Sequence, residues 1–135
     1  MSHYGYSKKL EIGFEQAVEE VKKALLEEGF GILMEIDVQQ KMKEKLNQEM
    51  DKYLILGACN PQLAAKALEA ETEIGLLLPC NVIVYVKDGE TFVSVILPSV
   101  AMAFVENESL TCIKEEAEHK LKTALDNLKI HEKLT

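Results

Sequence analysis

The chain has 135 residues, of which 47% are hydrophobic and 28% are charged, a size and composition typical of a single domain over residues 1–135. Its 15 Lys and Arg residues stand against 23 Asp and Glu residues, which gives a net charge of −8. Because so acidic a chain is repelled by phosphate backbones, we expect no nucleic-acid partner. No apolar run reaches the ~20 residues of a membrane helix, so we expect no membrane partner either.

Cysteine usage indicates the cellular compartment. The chain has three cysteines, an odd number without close spacing, which is not the pattern of a secreted disulfide framework. The first residues also lack the apolar segment of a signal peptide. We therefore expect a cytoplasmic protein with reduced thiols.

The first predicted elements are a strand, a helix and a second strand. Residues 4–10 suit a short strand with Tyr6 and Lys8 on one face. From Phe14 onward, apolar residues recur at helical spacing, and Gly29 suits the end of that helix. Residues 30–37 then alternate as in a strand. The alternation predicts one shared face for Phe30, Ile32, Met34 and Ile36.

The middle of the chain predicts two short helices around a strand. Residues 38–48 are polar and suit an exposed helix, and residues 53–58 form a compact apolar run that suits a central strand. Asn60 and Pro61 then fit the N-cap and first position of a helix that extends to about residue 72. The side chains predicted to face inward from this helix are Leu63, Ala64, Ala67 and Leu68.

Asp88-Gly89 separates two β-rich runs, residues 82–87 and 90–97, and predicts a two-residue hairpin turn. The resulting register places one set of side chains in the core: Val82, Val84, Val93 and Val95. The opposite face is apolar too and carries Ile83, Tyr85, Phe92 and Ile96. We expect a homodimer to cover this patch through a two-fold interface. The alternative is a cover within the monomer by a loop, the inserted helix or a curl of the sheet.

The last elements predict the fold class. Residues 99–105 suit a helical turn, and Asn107 suits the N-cap of a final helix that extends to near Lys129. The apolar stripe of this helix is Leu110, Ile113, Ala117, Leu121, Ala124 and Leu128. Together the elements predict a two-layer α+β fold, in which two long helices pack against a mostly antiparallel sheet of four to five strands, with short inserted helices.

Several segments resemble the domain-of-unknown-function family numbered 302. They are Gly29-Phe30, the sequence EIDV at residues 35–38, LILGACNP at residues 54–61, IGLLLPCNV at residues 74–82, and Pro98. The resemblance covers roughly Tyr6 to Leu128. It implies a β-α-β4-α architecture similar to that of the TATA-binding protein. It implies no reaction, and a shared architecture does not imply DNA binding.

The repeated Cys-Asn dipeptide gives the sharpest candidate site, at Cys59, Asn60, Cys80 and Asn81. If the two strands are neighbours, both thiols lie at one end of the sheet. We predict a small-ligand pocket here, in a non-catalytic binding module. The alternative is an enzyme or metal-binding protein that uses Cys59 and Cys80 for thiol redox chemistry or a soft metal, since a helix N-terminus lowers a thiol pKa. The simplest alternative is two buried cysteines beside two asparagines that satisfy turn backbone.

The other residues that could act in catalysis or metal binding do not predict a site. Glu35 and Asp37 could form an acid–base pair, but such residues more often end a strand or cap a helix. Cys112 lies off the buried stripe of the last helix and suits a surface position. The three histidines, His3, His119 and His131, are distant in sequence from Cys59 and Cys80, which disfavours a zinc site. The sequence identifies no cofactor and no catalytic motif, so we favour a binding protein, or an interaction protein that acts through the Tyr85 and Phe92 surface.

Overall fold

The computed structural model describes residues 2–128, and these residues form a five-stranded antiparallel sheet with helices packed against it. The strands are β1 (Gly5–Leu10), β2 (Gly31–Asp37), β3 (Tyr53–Cys59), β4 (Cys80–Lys87) and β5 (Glu90–Ile96). Their order across the sheet is β1-β5-β4-β3-β2, and every neighbouring pair is antiparallel. The edges of the sheet are therefore β1 and β2.

The described residues form five α-helices, of which the first three connect strands and the last two follow β5. They are α1 (Phe14–Glu27), α2 (Val38–Leu46), α3 (Pro61–Ala70), α4 (Pro98–Ala101) and α5 (Thr111–Asp126). Two 3-10 helices, Thr72–Leu77 and Glu108–Leu110, follow α3 and precede α5. The predicted α+β class with two long helices is confirmed. The likeness to the TATA-binding protein and the single domain over residues 1–135 stay predictions. None of the helices among residues 2–128 has the length and hydropathy to cross a bilayer.

The main core lies between the sheet and the two long helices. The four valines predicted to be inside, on β4 and β5, are buried. From the helices, the side chains that pack against them include Ala17, Val21, Leu25, Leu121, Ala124 and Leu125. Edge strand β1 is joined to the end of α5 by hydrogen bonds. Tyr6 donates its hydroxyl to Asp126 over 2.6 Å, and the Lys8 ammonium donates to the Leu125 carbonyl over 2.8 Å.

The β4–β5 hairpin has the predicted register. Asp88 and Gly89 both have positive φ angles, 53° and 79°, as a type I′ turn requires. Tyr85 therefore lies opposite Phe92, and Val84 lies opposite Val93. We call the sheet face that points away from the helices the open face. Across β2 to β5 its apolar side chains are Met34, Ile36, Tyr53, Ile55, Ile83, Tyr85, Phe92 and Ile96.

The prediction that Ile32 and Met34 share a face is wrong. The register of β2 against β3 shifts between these two residues, so that Ile32 lies opposite Ala58 and Met34 lies opposite Gly57. Ile32 packs against the main core, whereas Met34 lies on the open face. The cause is a β-bulge, in which Leu33 is an extra residue that breaks the two-residue alternation.

The C-terminal helix also begins differently from the prediction. Asn107 caps the short 3-10 helix, because its Oδ1 accepts the Ser109 N–H over 2.9 Å. Its amide nitrogen donates to the Ala70 carbonyl over 2.8 Å, which holds the end of α3 near this turn. α5 then starts at Thr111. Lys129, the predicted end of the helix, lies outside the described residues.

Gly29 follows α1 and lies against Asn60, the residue that precedes α3. It has a φ of +87°, as predicted for a helix-terminating glycine, and its N–H donates to the Leu26 carbonyl over 2.9 Å. A Cβ at this position would lie 2.9 Å from Nδ2 of Asn60. That Nδ2 donates to the Glu28 carbonyl over 3.4 Å. The residue at position 29 must therefore tolerate both a left-handed backbone and a close side-chain neighbour.

We expect Gly29→Ala to lower the free energy of unfolding by about 1–2 kcal/mol, because an alanine in the left-handed conformation is strained and its methyl group displaces Asn60. The measurement is urea denaturation at equilibrium. Gly31→Ala is the matched control, since no atom lies within 4 Å of its added Cβ. Equal stability of the two variants would contradict the expectation.

Candidate functional site

An apolar cavity of about 310 Å³ lies between the sheet and the helices α3, α4 and α5. On the strand side its lining residues come from the ends of β2, β3 and β4 and the segments beside them: Phe30, Leu33, Ala58, Cys59, Asn60, Leu78, Pro79 and Cys80. On the helical side they come from α3, α4, α5 and the turns beside them: Leu63, Ala64, Ala67, Leu68, Gly75, Pro98, Met102, Leu110, Ile113, Lys114 and Ala117. The cavity therefore lies at the junction of the sheet with three helices.

The pairing of β3 with β4 positions the cysteines. Ala58 lies opposite Cys80 in the antiparallel ladder, so Cys80 points to the helical side of the sheet together with Ala58. Cys59 is the last residue of β3, and Asn60 follows it. The structure thus brings Cys59, Asn60 and Cys80 to one cavity.

Asn81 does not join the other three residues. It lies opposite Gly57 on β3, one position after Cys80, and so its side chain is directed to the open face. It is exposed and lies beside Ile83, Tyr85 and Ile96 in a shallow groove. The repeated dipeptide therefore does not produce two equivalent sites.

Asn60 has a structural role at the edge of the cavity. Its Oδ1 accepts the N–H of Leu63 over 3.2 Å, which confirms the predicted N-cap of α3. Its Nδ2 donates to the Glu28 carbonyl at the end of α1. Because both polar atoms of the amide are occupied, Asn60 fixes the position of α3 against α1.

The two cysteines have different environments. Burial raises the pKa of the Cys80 thiol to about 11, and the neighbouring Cys59 contributes in the same direction. Cys80 is therefore a neutral thiol at neutral pH. Cys59 is half-buried, and both are free cysteines. Among residues 2–128, no group of three or more His, Cys, Asp or Glu side chains comes together to hold a metal ion.

Sequence reasoning missed the wall that α5 contributes. Leu110, Ile113, Lys114 and Ala117 line the cavity, and their spacing is that of one helical face. The signal was present in the sequence, since Lys114 follows Leu110 by four residues and precedes Ala117 by three. Lys114 is the one charged residue that lines the cavity within the described part of the chain.

The open face carries a row of stacked aromatic rings. The ring centroids of Tyr53 and Tyr85 are 5.6 Å apart, and those of Tyr85 and Phe92 are 5.4 Å apart, with nearly parallel planes. Burial raises the pKa of Tyr53, with the hydroxyls of Tyr85 and Tyr4 contributing. The three rings are half-buried, so part of their apolar surface is accessible to a partner.

The other candidate residues have ordinary structural positions. Glu35 pairs with Lys22 on α1, and Asp37 caps α2 by accepting the Gln40 N–H over 2.9 Å. Cys112 is exposed on α5, as expected for a surface cysteine. His119 is exposed on the same helix, and His131 lies outside the described residues.

Known proteins provide a family context for this geometry. Residues 6–128 match the family described as "Domain of unknown function DUF302". The chain is also similar to the protein in the "Crystal structure of uncharacterized conserved protein DUF302 from Bacillus stearothermophilus", with a TM-score of 0.88 and 29% sequence identity. The alignment covers 95% of this chain and 100% of that chain. No curated protein matches the chain.

We expect Cys80 to react at least about 100-fold more slowly than Cys112 with 5,5′-dithiobis(2-nitrobenzoate) near pH 8, because only the thiolate attacks the reagent. The comparison uses two variants that retain a single cysteine, Cys80 or Cys112, with serine at the other two positions. Equal rates in the folded variants would contradict the burial of Cys80.

Ionisation of Cys80 also makes the free energy of unfolding depend on pH. Folding raises the pKa of Cys80 from 9.0 to about 11. The contribution of this thiol to the free energy of unfolding is therefore complete below pH 9 and is lost as the pH rises toward 11.

Proposed function

Because this chain belongs to the DUF302 family, whose description names no activity, we propose a function from its own geometry. The protein is a homodimeric, non-catalytic module that binds a small apolar ligand beside Cys59, Asn60 and Cys80. The observation that supports this most is the cavity itself. Its volume of about 310 Å³ and its apolar lining are those of a small-molecule site.

The physical argument for a ligand concerns the contacts of the lining side chains. Interiors are close-packed, and a side chain beside a void loses the dispersion contacts that a packed neighbour would supply. An apolar pocket of this kind, which opens to solvent beside Leu33 and Leu68, favours ligands that cover its apolar surface. A ligand that fills it supplies those contacts and buries its own apolar surface.

The lining residues support binding more than catalysis. Within the described chain the cavity has no imidazole or carboxylate side chain, so general acid–base chemistry lacks its usual groups. Cys80 is neutral at neutral pH because burial raises its pKa to about 11, and a neutral thiol is neither the nucleophile nor the metal ligand. Thiol redox or soft-metal chemistry at Cys59 and Cys80 is thus the second candidate.

The proposal includes a homodimer formed through the open face. Aromatic side chains are enriched in interfaces, and the stacked row of Tyr53, Tyr85 and Phe92 lies on this face. The charged side chains on this face lie at the hairpin end, where Lys9 pairs with Glu90 over 3.3 Å. A chain of net charge −8 repels its own copies elsewhere, so a face without excess acidic charge is the one suited to a second copy.

The cytoplasmic location stays a prediction.

We expect Ala64→Leu to weaken binding of the neutral fluorescent probe N-phenyl-1-naphthylamine by about tenfold, which corresponds to ~1.4 kcal/mol. Ala64 lines the cavity, so a larger side chain there occupies part of the ligand volume. Ala65→Leu is the matched control, because Ala65, the next residue on α3, is exposed and lies outside the cavity. The proposal fails if the probe does not bind, or if both variants bind it equally well.

We expect Tyr85→Lys to convert the dimer to a monomer, since a two-fold interface places an unpaired ammonium on both sides of the contact. Light scattering during size-exclusion chromatography gives the mass. Leu26→Lys is the control, because Leu26 is an exposed apolar residue on α1, away from the open face. A monomeric wild-type protein, or a Tyr85→Lys variant of unchanged mass, would contradict the proposed dimer.

A further inference from the structure

We infer that the ligand of the cavity is an apolar molecule with a carboxylate at one end, and that Lys114 binds the carboxylate. This inference rests on the proposed ligand-binding function and adds the chemical class of the ligand. It depends on the position of Lys114, on the absence of a partner for its ammonium among the described residues, and on the direction of the helix that carries it.

Lys114 occupies a position where an apolar residue is expected. It lies between Leu110 and Ala117 on the face of α5 that lines the cavity, and both of those residues are buried. Lys114 itself is half-buried. The methylene groups of a lysine pack along apolar surface while the ammonium stays near solvent. A lysine on this face can therefore line the cavity with its stem and hold a charge at its edge.

The ammonium of Lys114 has no acidic partner. Within residues 2–128 it takes part in no hydrogen bond or ion pair. Glu118, one turn further along α5, is already engaged, because it accepts the Ser99 N–H over 2.9 Å and lies 3.7 Å from Lys122. Seven of the 13 lysines among residues 2–128 form ion pairs, as Lys22 does with Glu35, whereas Lys114 forms none. The charge at the cavity is thus available to a ligand.

The helix direction favours an anion beside Lys114. α5 begins at Thr111, so Lys114 lies in its first turn. The N-terminus of a helix carries a partial positive charge that disfavours a lysine and favours an anion. Leu110, which precedes α5, supplies no side-chain hydrogen bond, and the Thr111 N–H already donates to the Glu108 carbonyl of the preceding 3-10 helix. The helix therefore acts on an anion through its dipole. An anion at this point would interact favourably with both the helix and the ammonium. Of the nearby glutamates on α5, Glu115 and Glu116 are exposed and Glu118 is already engaged with Ser99 and Lys122, while more distant charges are screened by salt.

These features specify the ligand class. Apart from Asn60, whose amide is already hydrogen-bonded, the rest of the lining is apolar and has no second cation within the described chain, which matches one negative charge on an apolar body. A carboxylate suits a single ammonium, because charge-assisted hydrogen bonds between these groups are short and strong. A monocarboxylic acid with an alkyl or aryl body meets both requirements.

The test compares octanoate with 1-octanol, which has the same chain length and no charge, near pH 7. Each competes with N-phenyl-1-naphthylamine, a neutral probe that reports on the cavity without using Lys114. For the wild-type protein we expect octanoate to bind at least about tenfold more tightly than 1-octanol, in line with a hydrogen bond between charged groups. Equal affinities would overturn the inference, as would failure of octanoate to displace a bound probe.

Substitutions of Lys114 and Lys120 test whether Lys114 is the residue that binds the carboxylate. We expect Lys114→Met to reduce octanoate affinity by about tenfold and to leave 1-octanol affinity within about threefold, while Lys114→Arg retains the preference for octanoate. Lys120→Met is the matched control, because Lys120 lies on the same helix but outside the cavity. Equal losses for both ligands in Lys114→Met, or an equal effect of Lys120→Met, would overturn the role of Lys114.

The failure of this inference is distinct from the failure of the proposed function. If the neutral probe and 1-octanol bind and the Ala64→Leu variant weakens them, the cavity is a ligand site whatever octanoate does. If neither neutral molecule binds, the proposed function itself is wrong, and the inference about the carboxylate is overturned with it.

Discussion

The antiparallel register between β3 and β4 is the constraint on which both proposed surfaces depend. Ala58 lies opposite Cys80, and successive side chains of a strand point to opposite faces. Cys80 is therefore directed toward the helices, where it lines the cavity, while Asn81 is directed to the open face. A slip of one residue would exchange the two sets. It would place Tyr85 in the core and Val84 on the open face.

The cavity exists because different helices cover the two ends of the sheet. α1 and α5 pack tightly over the valines of β4 and β5. The end near β3 is covered by α3, α4 and the start of α5, which present small side chains at Ala64, Ala67 and Ala117. Bulkier residues would fill the space and add packing energy. The protein therefore forgoes stability at this end, a pattern typical of functional sites. The placement of Lys114 on the same apolar wall is a second such departure from a packed core.

The features that could be predicted from the sequence depend on neighbouring residues. The turn at Asp88-Gly89, the end of α1 at Gly29 and the cap at Asn60 each follow from the conformational preference or hydrogen bonding of one or two residues. The bulge at Leu33 was missed because a strict two-residue period cannot show one extra residue, whose position depends on the fit of β2 against β3. The cavity was only partly located, since its walls come from segments distant in sequence. Lys114 was missed, although its spacing along the final helix places it on the apolar stripe.

The sheet separates the two proposed surfaces and so makes them compatible. The cavity lies on the helical side, and the stacked aromatic row lies on the open face, so a second copy on the open face leaves the cavity free for a ligand. Gly57 completes this separation. A Cβ at this position would lie 2.9 Å from side-chain atoms of both Met34 and Pro79, so glycine allows these two residues to close over the strand directly behind the cavity. Pro79 also lines the cavity, so this contact lies between the two proposed surfaces. A dimer with two-fold symmetry would thus carry two separate ligand sites, each built within one chain.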